Sequence, residues 1–227
     1  MPADVEGTDA CRKICILAAL AFGRLYAPAA VHTEGITAVT AQNVADAEAL
    51  GGVIKLIGRA GRVDESDPDS DVFLLVSPHV VLHENPLSCV DDVFNAILVR
   101  GNAVGDVMFY GRGAGNLPTA SAVVADIIDI LTHKDAQIFV PDWESADGAP
   151  ADHTALPYAF LCRIRTDASY TEAVSALRGI YAAAEVLGSE ETFDGTIAFV
   201  TPTVTETAVR AALAPLGTLT SLLRIMP

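Results

Sequence analysis

Basic residues are scarce in this 227-residue chain: 14 Lys and Arg stand against 29 Asp and Glu, a formal net charge of −15 at pH 7. Nucleic-acid binding relies on clustered Lys and Arg, and the densest basic pair here is Arg12-Lys13. The balance therefore argues against a phosphate-backbone partner. Such an acidic surface keeps a protein soluble and says little about its fold. Long apolar runs are missing as well. A membrane span needs roughly 18 consecutive apolar residues; the richest stretch, 14–22, is about half that and rich in alanine. Residues 1–12 are acidic and polar, unlike a secretory leader. The four cysteines (Cys11, Cys15, Cys89, Cys162) show no CxxC spacing, which removes a disulfide framework and points to the cytoplasm. No tandem repeat, low-complexity block, GxSxG, HExxH or Walker sequence occurs.

What is present is apolar: 51% hydrophobic residues and a mean hydropathy of +0.39, enough for a sizeable core in one large domain or two ordinary ones. Residues 9–23 carry Ile14, Leu17, Leu20 and Ala21 at helical spacing with Gly23 as a stop, and read as a buried helix with Cys11 and Cys15 on one face. A second helix, 40–50, ends at Gly51-Gly52. Strand-like runs follow at 53–61, 71–81, 95–99 and 107–110, the last two separated by a turn at Gly101-Asn102. A third helix, 118–131, aligns Ala120, Val123, Val124, Ile127 and Leu131 on one stripe. From 132 to 157 the period is lost, and Gly148-Ala149-Pro150 breaks any element, so this is read as a linker. Beyond it come strand 158–165, helix 170–184, strands 186–193 and 196–200, helix 204–213 and strand 219–226. This βαββαβ order is ferredoxin-like.

Asp9 and Lys13 stand four apart, acid before base, at the start of the first helix. A surface ion pair of about 0.3–0.5 kcal/mol is the plain reading. The Ala/Ile/Leu/Cys character of that helix instead predicts partial desolvation, which would make the pair chemically useful; Asp4 adds a second carboxylate nearby. Gly111-Arg112-Gly113-Ala114-Gly115 follows a strand and precedes a helix opened by Pro118, a place where backbone can approach an anionic ligand. As a dinucleotide fingerprint it fails, because Asn116 occupies the third glycine position and no first βαβ unit surrounds it. His79 and His83 lie in an extended run and would be about 13 Å apart, too far for one ion. The acidic run 64–71 has Val72 where a calcium loop needs its glycine, and reads as a solvated loop.

Three stretches together resemble homoserine dehydrogenase. Asp4-Val5-Glu6-Gly7-Thr8-Asp9-Ala10-Cys11-Arg12-Lys13 with the following 16–22 resembles that family's substrate helix. Glu34-Gly35-Ile36, Thr40-Ala41, Leu50-Gly51 and Ile54-Lys55-Leu56 resemble its next block. Asn85-Pro86-Leu87 and Asn95-Ala96, leading to the string from Tyr110 to Ala120, resemble its last. The similarity is dense over 4–131 and looser over 158–227.

The resemblance implies reduction of L-aspartate 4-semialdehyde to L-homoserine with NAD(P)H, in threonine, methionine and isoleucine synthesis. It implies Lys13 as proton donor to the carbonyl oxygen, Asp9 as the carboxylate that binds substrate and orients the lysine, and Asp4 in the same pocket. A charged lysine suits an oxygen that gains negative charge. Gly113, Ala114 and Gly115 would lie on the loop that approaches the cofactor; no metal is implied. The family's GxGxxG fold, second lysine, monovalent-cation sites and substrate-gripping glutamate have no counterpart in these residues, so the chain by itself is expected to be inactive and to bind no NAD(P). A non-catalytic regulatory or assembly module derived from the enzyme is the rival reading. The tail also departs from its pattern: where ACT domains carry a Pro-Gly loop for an amino-acid effector, this chain has Thr166-Asp167-Ala168-Ser169-Tyr170.

The expected fold class is α+β: a mixed-sheet catalytic and dimerisation domain covered by helices at 1–131, the linker 132–157, and an ACT-like regulatory domain at 158–227. The expected partners are the small-molecule substrate, a second copy in a homodimer formed through the first domain, and an amino-acid effector at the ACT-like domain.

Overall fold

A computed structural model describes residues 2–134, 144–145 and 148–226. Helices α1 (Pro2–Val5) and α2 (Thr8–Phe22) lead through β1 (Arg24–Leu25) and β2 (His32–Thr33) to α3 (Ala41–Ala49). A long hairpin follows, β3 (Gly52–Arg62) with β4 (Val72–Leu82). A second hairpin, β5 (Phe94–Gly101) with β6 (Gly105–Arg112), precedes α4 (Asn116–Thr132). The short β7 (Glu144–Ser145) and β8 (Pro157–Tyr158) come next. The chain closes with β9 (Phe160–Arg165), α5 (Tyr170–Ile180), β10 (Glu185–Leu187), β11 (Thr196–Val200), β12 (Val204–Thr205), α6 (Glu206–Leu213) and β13 (Thr218–Met226).

By contacts the chain falls into two compact units, Met1–His83 with Asp142–Pro227, and Glu84–Pro141. These units cut across the chain-order segments 1–131, 132–157 and 158–227. The physical reason lies in the first unit's mixed sheet. Its strand order is β10-β11-β9-β13-β4-β2, with β3 pairing β4 antiparallel along its length. The C-terminal strands are antiparallel to one another, and β13 then runs parallel to β4 through Arg224↔His79, Ile225↔Val80 and Met226↔Val81. One sheet therefore continues from the last strand into the first third of the sequence. Of the expected linker, 135–143 and 146–147 lie outside the described residues.

The position of β4 explains its composition. Even-numbered Val72, Leu74 and Val76 pack with Cys11, Ile14, Cys15 and Ala18 of α2, while odd-numbered Phe73 and Leu75 join Phe160, Ile164, Leu177 and Phe199. Alternation puts successive side chains on opposite faces, and both faces are covered, so the strand reads as an unbroken apolar run. Pro78 falls where one neighbour changes from β2, paired at Leu75 and Val76, to β13, paired from His79. A residue without an N–H fits such a gap in the ladder.

Several expectations are corrected. The first helix is not buried all round: Cys11, Ile14, Cys15, Ala18 and Ala19 face the sheet, whereas Ile16 is 51% and Leu20 58% exposed. A single sheet contacts only one stripe of a helix, which the alanine-rich sequence blurred. The expected helix 170–184 stops at Ile180, and the strand expected at 186–193 is only Glu185–Leu187 followed by a 3-10 turn, Glu190–Thr192. Thr205 caps α6 through Ala208 N, so the helix begins two residues later than its apolar pattern suggested.

The second unit is simpler. β5 and β6 pair from Phe94↔Arg112 to Gly101↔Gly105, with Phe94 stacked on Tyr110 at 4.8 Å. Among its described residues α4 buries none, and Val123, Val124, Ile127 and Leu131 of its stripe are all at least half exposed.

Candidate active site

The site begins at a corner. α1 carries Asp4 and α2 carries Asp9 and Lys13; Glu6 and Gly7 join them. Gly7 sits at φ 80°, ψ 2°, the left-handed region that costs a side chain strain, and its carbonyl accepts from Cys11 N at 2.9 Å to start the helix. The corner is pressed onto the segment after β2: Ile36 N donates to Val5 O at 2.8 Å, and Glu34 N to Val76 O at 2.8 Å. Gly35 makes the approach possible, since a Cβ there would lie 2.3 Å from Val5 O and 2.7 Å from Glu6 Cα. The Gly-containing stretches on either side of the corner thus fix where the first turn of α2 points.

That turn brings Asp9 and Lys13 together. Lys13 Nζ is 2.7 Å from Asp9 Oδ2. The expected desolvation is absent: the lysine side chain is 60% exposed and the aspartate 42%. Residues 9 and 13 lie off the 11, 14, 15, 18 stripe that meets the sheet, so the pair faces outward with its partner groups set by helical spacing. An accessible ammonium held by a carboxylate is equipped to bind a polar substrate and to deliver a proton to it. Asp4 stands on α1, one corner away.

Gly113, Ala114 and Gly115 belong to the other compact unit, between β6 and α4. A Cβ on Gly113 would coincide with the Asn95 amide, 1.2 Å from Nδ2, so its glycine is explained within the unit. Gly115 is the N-cap of α4 at φ 124°, ψ 154°, with no side-chain cap bond. No side chain caps the first turn, whose third residue, Pro118, has no N–H and whose Thr119 N donates to Gly115 O; the N–H groups of Asn116 and Leu117 could face an anion but do not by themselves build a nucleotide site.

The sequence reading missed a second polar cluster in the first unit. Arg224, 3% exposed, donates through Nη2 to Glu206 Oε2 and through Nη1 to Ser77 Oγ at 3.1 Å; Arg210 shares Glu206 at 2.7 Å. Glu206, Arg210 and Arg224 line a cavity of about 240 Å³ together with His32 and Glu34. Only the Glu206/Arg210 spacing was legible beforehand, because the other members are far apart in sequence. His79 is fully buried, and burial pulls its pKa down to about 3 against the opposing hydrogen bond to the Ser77 carbonyl. Burial pushes the Cys15 thiol up to about 11 and Cys162 up to about 12, so neither is a nucleophile near neutral pH. Among the described residues no group of three or more His, Cys, Asp or Glu side chains could hold a metal ion.

Residues 1–128 match the model of an oxidoreductase family. The family is homoserine dehydrogenase, and the chain belongs to it. It is 47% identical over 133 residues to the homoserine dehydrogenase of Synechocystis, and 40% identical over 156 residues to that of Pseudomonas aeruginosa. It covers 57% and 68% of itself in the two alignments, but only 30% and 35% of those proteins. Its structure is similar to a homoserine dehydrogenase from Thiobacillus denitrificans (TM-score 0.78, 30% identity, 99% of this chain and 54% of that one). The same holds for the Staphylococcus aureus enzyme at pH 7.0 (TM-score 0.79, 27% identity, 100% and 55%). The chain thus spans about a third of the curated relatives it matches and about half of the solved ones.

Proposed function

We propose that these residues are the substrate and catalytic part of a homoserine dehydrogenase that reduces L-aspartate 4-semialdehyde to L-homoserine. The observation that carries this is the exposed Lys13–Asp9 pair at 2.7 Å, set at the glycine corner within the stretch that matches the family. In this reading Asp4 and Asp9 bind the substrate, Asp9 holds Lys13 in place, and the Lys13 ammonium gives its proton to the carbonyl oxygen as that oxygen becomes an alkoxide. NAD(P)H, when bound, supplies the hydride. Gly113–Ala114–Gly115 is the part of this chain assigned to the cofactor, through the uncapped start of α4. Cofactor binding as a whole is assigned to a nucleotide-binding domain, because no fingerprint βαβ unit occurs in these residues. The 158–227 segment is read as an ACT-like domain: its strands stand in the order β10-β11-β9-β13, all antiparallel, with two helices between them. The catalytic part acts as a homodimer in the cytoplasm, and the ACT-like segment is the place for any amino-acid effector.

NADPH oxidation with L-aspartate 4-semialdehyde tests this. Residues 1–227 joined to the nucleotide-binding domain of a relative turn substrate over, and residues 1–227 alone do not. No activity in the joined protein would sink the catalytic reading; activity in the chain alone would sink the assignment of the cofactor.

A further inference from the structure

Two imidazoles from distant parts of the sequence lie flat on one another. His32 of β2 and His153 have ring centroids 3.8 Å apart at an interplanar angle of 15°. His153 opens a 3-10 turn, His153–Ala155, that Asp152 caps through Thr154 N at 2.9 Å. The segment around it, 148–156, is a strap along the first unit's sheet. Ala151 N donates to Val72 O at 3.0 Å, Thr207 Oγ1 donates to Thr154 Oγ1 at 3.2 Å, and Leu156 is buried in the core. Under the strap is a cavity of about 330 Å³ lined by Ala29, Ala30, Leu74, Pro150 and the two histidines. The stack is one more fastening of the strap, beside these bonds and the Ala151 and Leu156 side chains that pack on the core.

Charged groups face the stack from its own two segments, from β13 and from α6. Glu34 Oε2 is 4.0 Å from His32 Nε2, and Asp152 Oδ1 is 3.9 Å from His153 Nδ1. Arg224 of β13 and Glu206 of α6 act on both rings, and Arg210 shares Glu206. Burial lowers the pKa of each ring and is the largest influence. Arg224 lowers both further, His32 lowers His153, and the carboxylates Glu34, Glu206 and Asp152 oppose without reversing the direction. Neutral rings stack without electrostatic cost. Two protonated rings would set like charges in contact beside a guanidinium, in a partly buried place where screening is weak.

We propose that the His32–His153 stack is an acid-released clasp, which holds residues 148–156 against the sheet while both rings are neutral and lets the strap lift when they take up protons. The sign follows from linkage. Each ring's folded pKa lies below its ordinary 6.5, so the clasp contributes fully above that pH and is lost as the pH falls through the folded values. The clasp does not depend on any catalytic role of Lys13.

Amide hydrogen exchange on the intact chain, corrected for intrinsic rates, reads the strap directly at Ala151. Its protection should fall by about tenfold per unit of pH for each proton taken up on opening, starting below 6.5. The Ile197 amide in β11 serves as the control for global opening and should change less. His153→Phe keeps a stackable ring without a titrating group and should hold Ala151 protected across the same range. Protection at Ala151 that does not change with pH, or that changes equally in His153→Phe, overturns the clasp. Should that variant not fold, the imidazole titrations of the unaltered chain decide: midpoints below 6.5 for both rings support it, and a midpoint at or above 6.5 for either refutes it.

Discussion

Arg163 holds Asp46 with two nitrogens, Nε at 2.9 Å from Oδ2 and Nη2 at 2.6 Å from Oδ1, and so ties β9 to α3 across 117 residues. The aspartate side chain is 8% exposed and the arginine 16%. Loss of one partner leaves the other buried without its opposite charge, with, among the described residues, only Thr196 Oγ1 to accept from the Arg163 side chain or only Gln42 Nε2 to donate to that of Asp46. Asp46→Ala and Arg163→Ala should each lower the unfolding free energy by about 3–5 kcal/mol, and Asp46→Leu with Arg163→Met should recover most of it. Urea denaturation measures this; a loss below about 1 kcal/mol, the range of exposed pairs, would show that water still reaches the bridge.

Lys13 is assigned a chemical role, and its exposed pair with Asp9 is worth little to stability. In a catalytically complete protein Lys13→Ala should therefore reduce kcat by about 10²-fold or more, the range for loss of a general acid, with the melting temperature unmoved. A change in kcat under about threefold, well short of that range, would remove Lys13 from the mechanism.

Gly35→Ala tests the corner. The added methyl would sit 2.3 Å from Val5 O, a backbone atom that cannot rotate aside. The expected cost is about 1–3 kcal/mol, typical of overpacking, with KM raised more than kcat is lowered because Asp4 and Asp9 are displaced. Unchanged KM with full stability would mean that the segment after β2 does not set the corner.

His79 gives the fold a second acid response. Its folded pKa of about 3 lies below the ordinary 6.5, so its contribution is present above 6.5 and lost as the pH falls from there toward 3. Its Nε2 is buried without a partner among the described residues, and a phenyl ring keeps the edge-on contact with Tyr158 at 6.3 Å while giving up the Nδ1 bond to Ser77 O, a loss that does not vary with pH. Denaturation curves between pH 7 and 4 should flatten in His79→Phe, by several kcal/mol on the scale of about 1.4 kcal/mol per pKa unit. An identical pH slope in the variant would refute this.

Assembly is testable on the second hairpin, where Ile97, Val99 and Phe109 are exposed on strands that pair only with each other among the described residues. Apolar patches of this kind mark association surfaces, and a two-fold axis closes them without further growth. Light scattering should report a dimer that Val99→Asp with Phe109→Asp converts to monomer. A dimer that survives both charges would move the interface elsewhere, with the C-terminal strands as the rival.

The sequence made the elements of the N-terminal half legible because their signals are local: Gly23 stops α2, Gly51-Gly52 ends α3, and the apolar runs of β3 and β4 flank an acidic loop. The Asp9–Lys13 pair was visible for the same reason, as a four-residue spacing. Its exposure was not, since which stripe of an alanine-rich helix meets a sheet is decided by the sheet. Sheet continuity between β4 and β13 and the Arg224–Glu206–His32–His153 cluster left no trace either. Each depends on residues more than a hundred positions apart, which no periodicity connects.

The parallel pairing of β13 with β4 orders events during synthesis. Arg224 meets Ser77 across 147 residues, and the ladder at His79–Val81 closes only when residues 224–226 have emerged. Until then the growing chain carries a strand that is apolar on both faces with part of one edge bare. Non-local pairing of this kind is slow and exposes sticky surface, so residues 224–226 decide whether the helix bearing Lys13 comes to rest on a finished sheet or on an aggregating one.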